Sequence, residues 1–487
     1  MAKDIQNVLD AVPVSRDPFK LAYHIMPPKN WMNDPNGLVH WNGEYHIFYQ
    51  HHPHGVTWGP MHWGHVKSTD LVHWKHEPIA LTPGEIYDAD GCFSGSAVDD
   101  NGKLTLIYTG HVFIDQEKDL VEQVQCIATS EDGKVFTKYP GNPVISAPPS
   151  EGSGHFRDPK VWKHGESWYM VLGTRKGDIG KVVLYKSKDL HNWEYVGVML
   201  ESNGLQGYMW ECPDLIEIGG RHVLIMSPQG MEPVGDRYQN RFQTVYLTGD
   251  LDYSTGRFTY DTFEELDKGF DFYAAQTMKD KHGRYILFGW MDMWDSQMPT
   301  QQHGWSGALT IPRELLLTHD GRLAMQPVEE LKKLRGRHSH KENLLLDETQ
   351  SILPVANGAA LELLVSLKLD GTAQKAGLLV RCSEDFRQQT RIYIDQNEQK
   401  LVVDTTASGE GPGGIRMTPL NTKGQEELIL HLFLDRSSVE IFTEDGLTVL
   451  SNRIYPEETS LGVSVFAEGG TAAISTVDVW ELEDIWE

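Results

Sequence analysis

Three carboxylates in this 487-residue chain stand in contexts suited to reaction chemistry: Asp34 in WMNDPNG, Asp158 in FRDPK and Glu211 in MWECPDL. Hydrolysis of a glycosidic bond needs two such groups. One is ionised, to attack or to activate water, and the other carries a proton for the leaving oxygen. Their neighbours suggest the division. Asn33 can donate to Asp34 and keep it charged, whereas Met209 and Trp210 give Glu211 apolar company that favours its protonated form. Arg157 is expected to hold Asp158 ionised, which suits binding sugar hydroxyls better than moving a proton. Trp31, Trp58, Trp210, Tyr273 and Trp290 offer aromatic faces for a sugar ring. Taken singly, an Asp before Pro is usually a turn residue. What distinguishes the three acids is a shared register in a repeat.

Five segments read as one kind of buried strand: YHIFYQ, LTLIYTG, WYMVLGTR, HVLIMSPQ and YILFGWM. They begin at residues 45, 104, 168, 222 and 285, so successive starts are 59, 64, 54 and 63 residues apart. Each follows a glycine turn. A period near sixty, rich in aromatic and β-branched residues, fits four strands and their loops, which is one blade of a β-propeller. Five units predict five blades. In a propeller the innermost strands line the channel, so equivalent positions converge. Counting back from each segment gives Asp34, the Phe93-Ser94 region, Asp158, Glu211 and Tyr273. Three acids at one blade position form a cluster of like charge, and such clusters are kept mainly at sites.

Beyond residue 336 the pattern changes to alternating apolar and polar residues broken by turns, as in an antiparallel β-sandwich. The predicted fold is all-β, a five-bladed propeller followed by a C-terminal antiparallel sandwich. Residues 1–335 make the catalytic domain, with an N-terminal extension and a C-terminal connector, and 343–487 the sandwich. The connector is expected over 309–336, with Pro327 starting a helix through VEELKKL and Gly336 ending it.

Composition narrows the partners. Lys and Arg number 43 against 69 Asp and Glu, a net charge of −26. A chain this acidic repels nucleic acid and anionic membranes. The first twenty residues show no export signal, no run is apolar enough for a membrane span, and the four cysteines are scattered. A cytoplasmic protein is expected, with no cofactor and no metal. The histidines crowded between His46 and His76 lack the ligand spacing of a zinc site and are expected at most to shape sugar subsites. GEGPGG at 409–414 is read as a turn.

The whole set of motifs resembles glycoside hydrolase family 32, the family of invertases, fructanases and bacterial sucrose-6-phosphate hydrolases. The resemblance rests on WMNDPNG, FYQ at 48–50, Trp58-Gly59, FSGS at 93–96, FRDP at 156–159, ECPD at 211–214 and DRSSVEIF at 435–442, in order along the chain. It implies the same propeller and sandwich. It also implies that Asp34 is the nucleophile, Glu211 the acid and base, and Asp158 with Arg157 the stabiliser of the transition state. Asn33, Gln50, Trp58, Phe93, Ser94 and Trp290 would complete the sugar pocket, with Trp31 beside them. Asp271 or Tyr273 would represent the fifth blade, and Cys212 would support the acids without reacting. Retention of configuration would put the carboxyl groups of Asp34 and Glu211 about 5–5.5 Å apart.

The implied substrate is a small carbohydrate, sucrose or sucrose 6-phosphate. A phosphate would call on Arg175, Lys176, Lys181, Arg237 or Arg241. A fructan exo-hydrolase on the same site, an inverting enzyme on the same propeller and a sugar-binding propeller without activity are the alternatives. The sandwich is read as a brace, and the protein as a monomer or homodimer.

Overall fold

The computed structural model describes residues 17–420 and 425–486. The N-terminal stretch in which no export signal was read lies mostly outside them. The chain is an all-β protein, five sheets arranged as propeller blades followed by a two-sheet sandwich. The five apolar segments are the second strands of the blades: Glu44–His52, Lys103–Asp115, Ser167–Lys176, Arg221–Gln229 and Tyr285–Trp290. Their side chains are buried on both faces because blade packs on blade, so they read as continuous apolar runs instead of alternating ones.

The innermost strands are Asn30–Trp41, Gly91–Asp100, Phe156–His164, Met209–Ile218 and Tyr273–Lys279. Each carries an irregularity in its pairing at the residues singled out above. A bulge re-aims a side chain at the cost of ladder bonds, and here five bulges turn five sets of residues into one channel. Trp305–Ser306 pairs in parallel with Asn30–Trp31, tying the end of the propeller to its beginning.

The segment expected as a connector belongs largely to blade five. Arg313–Leu317 and Leu323–Pro327 are its outer strands. Pro327 therefore ends a strand, and the helix is one short 3-10 segment, Glu329–Leu334. Leu331 and Leu334 are its buried residues, spaced three apart. That matches the three residues per turn of a 3-10 helix. Arg335 then leaves to pair with Leu482 in the strand Arg335–Leu346, which runs through Gly336.

The sandwich is two six-stranded antiparallel sheets. Leu, Ile and Val side chains such as Leu363, Leu378, Val403 and Ile441 fill the space between them. DRSSVEIF lies where the sandwich meets the propeller. Asp435 takes His24 Nδ1 at 2.8 Å, and Glu440 takes His24 Nε2 at 2.8 Å. Arg313, fully buried in blade five, reaches Glu440, Ser451 and Asp267, the last at 2.9 Å. The motif thus supplies the counter-charges of a dry interface.

Candidate active site

The bulges sort the channel residues into two layers. Immediately before the irregularity, Phe93 pairs with Thr109, Arg157 with Gly173, Glu211 with Ser227 and Tyr273 with Trp290. The next residues, Ser94, Asp158, Cys212 and Ala274, form a second layer, to which Asp34 is hydrogen-bonded. Three of these four adopt left-handed backbone, with φ of 64° at Asp158, 48° at Cys212 and 52° at Ala274. For non-glycine residues this conformation costs about 1 kcal/mol or more each, and it persists where surrounding structure enforces it. Glu211 therefore does not share a position with the two aspartates, as counting residues suggested. It stands one residue earlier, level with Arg157 and Tyr273.

The first layer is a hydrogen-bonded line. Arg157 donates to Glu211 Oε1 through Nε at 3.0 Å and Nη2 at 2.5 Å. The Tyr273 hydroxyl donates to Glu211 Oε2 at 2.5 Å. Of the two apolar neighbours expected beside Glu211, Met209 lines the same cavity, whereas Trp210 is buried in a core between blades and gives its indole N–H to the Gln206 carbonyl.

The second layer holds Asp34. Ser94 Oγ donates to its Oδ2 at 2.6 Å, Asn33 Nδ2 to its Oδ1 at 3.0 Å and Cys212 Sγ to its Oδ2 at 3.5 Å. The Trp31 indole donates to Asn33 Oδ1 at 2.7 Å, which fixes the amide so that its NH2 faces Asp34. Burial raises the Asp34 pKa. The bonds from Ser94, Asn33 and Cys212 pull against that rise, while the charge of Glu211 adds to it. Asp158 Oδ2 accepts the Cys212 amide at 2.9 Å. Burial pushes Asp158 up to about 7, against the pull of Arg157 and with the charges of Glu211 and Asp34 adding to the rise. Arg157, expected to hold Asp158 ionised, does pull that way from 3.9 Å, but burial is the larger effect and outweighs it.

Both layers floor a cavity of about 560 Å³. Asn33, Asp34, Gln50, Trp58, Phe93, Ser94, Arg157, Asp158 and Glu211 line it, as expected. Gln50 is held by the Cys92 carbonyl at 3.0 Å. Trp58 is 38% exposed at the mouth. Trp31 and Trp290 do not reach the cavity. They are buried beneath it, Trp31 stacked on Trp294 and Trp290 tilted against both, and Trp294 takes the wall position. Tyr273 and Cys212 are buried too, Tyr273 bonded to Glu211 and Cys212 to Asp34 and Asp158. Asp271 turns away: its Oδ2 accepts the Arg453 amide of the sandwich at 2.7 Å.

None of the histidines between His46 and His76 lines the cavity. His46 and His65 are buried against each other 3.0 Å apart, and His51 binds the Trp31 carbonyl at 2.7 Å. His111 and His155 line the cavity instead. Among the described residues no three His, Cys, Asp or Glu side chains are grouped as metal ligands.

Of the five cations considered for a phosphate, Arg175 and Arg241 line the cavity. Lys176 is bound to the Ser150 carbonyl, Lys181 to Glu201 and Arg237 to Glu264. Residue spacing missed His155, Tyr208, Gln123, Asp119 and Trp294. His155 and Tyr208 stand two and three residues ahead of Arg157 and Glu211, so the approach to each acid motif was their only signal.

The chain matches the model of the glycosyl hydrolases family 32 N-terminal domain over residues 24–327 and of that family's C-terminal domain over 330–481. It is 44% identical to the sucrose-6-phosphate hydrolase of Zymomonas mobilis, over 95% of this chain and 92% of that one. It is 45% identical to the raffinose invertase of Escherichia coli, over 94% of each. The solved β-fructofuranosidase of Bombyx mori superposes with a TM-score of 0.87 at 38% identity, over 99% of this chain and 98% of that one. The chain belongs to glycosyl hydrolase family 32. No helix among the described residues is long and apolar enough to cross a membrane.

Proposed function

We propose that this protein hydrolyses the fructosyl bond of sucrose or sucrose 6-phosphate with retention of configuration. The observation that carries the proposal is the pairing of two differently held carboxylates on one cavity floor. Asp34, buried and aimed by Ser94 and Asn33, attacks the anomeric carbon. Glu211 protonates the leaving oxygen and then, as the carboxylate, takes a proton from the incoming water. Arg157 and Tyr273 donate to that carboxylate, the form it holds when it acts as base. Asp158, titrating near neutrality, binds fructosyl hydroxyls and steadies the oxocarbenium-like transition state. Trp31, Trp290 and Cys212 support these groups from behind the cavity wall.

The assignment is tested by following fructose release from sucrose by the wild type and by Glu211→Gln. A loss of about 10²–10⁴-fold in kcat is expected, the contribution typical of general acid-base transfer. Equal rates end the catalytic claim for Glu211. Comparing kcat/KM for sucrose, sucrose 6-phosphate and short fructans separates the two sucrose substrates from a fructan exo-hydrolase.

The remaining elements of the proposal concern place and assembly. Residues 1–335 are the catalytic unit and 343–487 its brace, a division supported by the buried charges that join them. A cytoplasmic location is supported by four cysteines that are all buried and unpaired. The enzyme acts as a monomer or homodimer on a small carbohydrate.

A further inference from the structure

The hairpin between Lys103–Asp115 and Leu120–Ser130 of blade two brings Phe113, Asp119 and Val121 to the cavity wall, and its tip meets Arg175 of blade three. At that tip Asp119, with left-handed backbone at φ 53°, projects its carboxylate onto Arg175. Arg175 Nη2 donates to Asp119 Oδ2 at 2.9 Å and to His155 Nε2 at 2.8 Å. His155 Nε2 also lies 3.2 Å from Asp119 Oδ2, and burial with the flanking arginines pushes the His155 pKa down to about 4 against the pull of Asp119. Asp119 thus faces both groups, and Arg175, at 2.9 Å, is the permanent cation of the pair. Arg175 lies over the Tyr208 ring, 5.6 Å from its centroid.

This group sits on the leaving-group side. Glu211 faces the oxygen that departs, Arg157 holds Glu211, and the Arg157 guanidinium reaches His155 at 3.4 Å. Moving outward from the acid, Arg175 is the next cation. Arg241 is another in the same wall, stacked on Phe242 and without an ion pair among the described residues. The cationic end of the aglycone space thus already contains a carboxylate supplied by the chain itself.

We infer that Asp119 is a specificity-determining residue, an internal anion that occupies Arg175 and holds down the enzyme's preference for a phosphorylated aglycone over a neutral one. The inference rests on the fructosidase reading above. A neutral glucosyl unit leaves the Asp119–Arg175 pair intact and packs beneath it. A phosphate at the rim competes with Asp119 for the guanidinium and is repelled by its charge. Removing that charge while keeping the side-chain shape frees Arg175 for the phosphate.

The test is the ratio of kcat/KM for sucrose 6-phosphate to that for sucrose in the wild type, Asp119→Asn, Arg175→Gln and the double variant. Asp119→Asn is expected to raise the ratio about two- to fivefold, the scale of one exposed ion pair. Arg175→Gln is expected to lower it, and the double variant to match Arg175→Gln. A ratio unchanged in Asp119→Asn, with both sugars still cleaved, overturns the inference and leaves the fructosidase reading standing. An equal rise in the single and double variants also overturns it, because the effect then bypasses Arg175. Failure of the wild type to release fructose from either sugar overturns both.

Discussion

The Arg157 guanidinium binds Glu211 at 2.5 and 3.0 Å yet stands 3.9 Å from Asp158, its own neighbour in the chain. The bulge in the inner strand of blade three separates the two side chains by a layer. One cation therefore sits closer to Glu211 than to Asp158, whose pKa burial raises to about 7 against the pull of Arg157.

Arg157→Gln removes both bonds to Glu211 Oε1. The expected result is a fall in kcat of about 10²–10³-fold, the scale of losing one preorganised donor at a reacting group. Arg157→Lys keeps the charge but not the two-nitrogen geometry, so it recovers only part of the loss. Steady-state kinetics on sucrose measure both.

Ser94→Ala removes the 2.6 Å bond to Asp34. That bond opposes the rise in Asp34 pKa caused by burial, so its loss raises the pKa further. The nucleophile must be ionised, so the acid limb of the kcat/KM profile moves to higher pH. The rate falls at least about tenfold near pH 5, in line with the loss of a hydrogen bond to a charged group, and by less at pH 8. An acid limb that stays in place while the rate falls evenly contradicts this account of Ser94.

The interface network gives a pH-dependent stability. His24 is fully buried between Asp435 and Glu440. Burial alone lowers its pKa, but the bonds and charges of those acids override this and raise it to about 9. A group whose folded pKa exceeds its unfolded value, about 6.5 for histidine, stabilises fully below the unfolded pKa. That contribution is lost as pH climbs through the folded one. The melting temperature is therefore expected to fall between pH 7 and 9.5, and His24→Gln to flatten that slope. Thermal melts across the range, wild type against variant, check it.

Arg313→Met leaves the buried carboxylates of Asp267 and Glu440 without their shared cation. Breaking one side of a buried ion pair costs about 3–5 kcal/mol, seen as a lower denaturant midpoint. A midpoint unchanged from wild type contradicts the role of DRSSVEIF as the charged face of the brace.

Much of this was legible in the residues. The five apolar segments announced the central strands because buried strands are apolar on both faces, and the glycine turns before them marked the hairpins. Counting back from them found every inner strand. It mistook the layer of Glu211 because a bulge adds a residue to one strand only, which a count cannot register. Trp31 and Trp290 support the wall and do not line it, a distinction sequence cannot make, since an aromatic beside an acid looks the same in either place. The outer strands of blade five, Arg313–Leu317 and Leu323–Pro327, are short and were hidden beside a helical pattern that survives only as a 3-10 turn. Asp119 had no sequence signal, because its role arises from a hairpin tip meeting another blade.

The central claim is attack by Asp34 with Glu211 serving as acid and then as base, two displacements that together preserve configuration. Proton NMR recorded within the first turnovers on sucrose, before the released fructose equilibrates, tests it directly. The account predicts β-fructose as the first product. Initial release of α-fructose contradicts it.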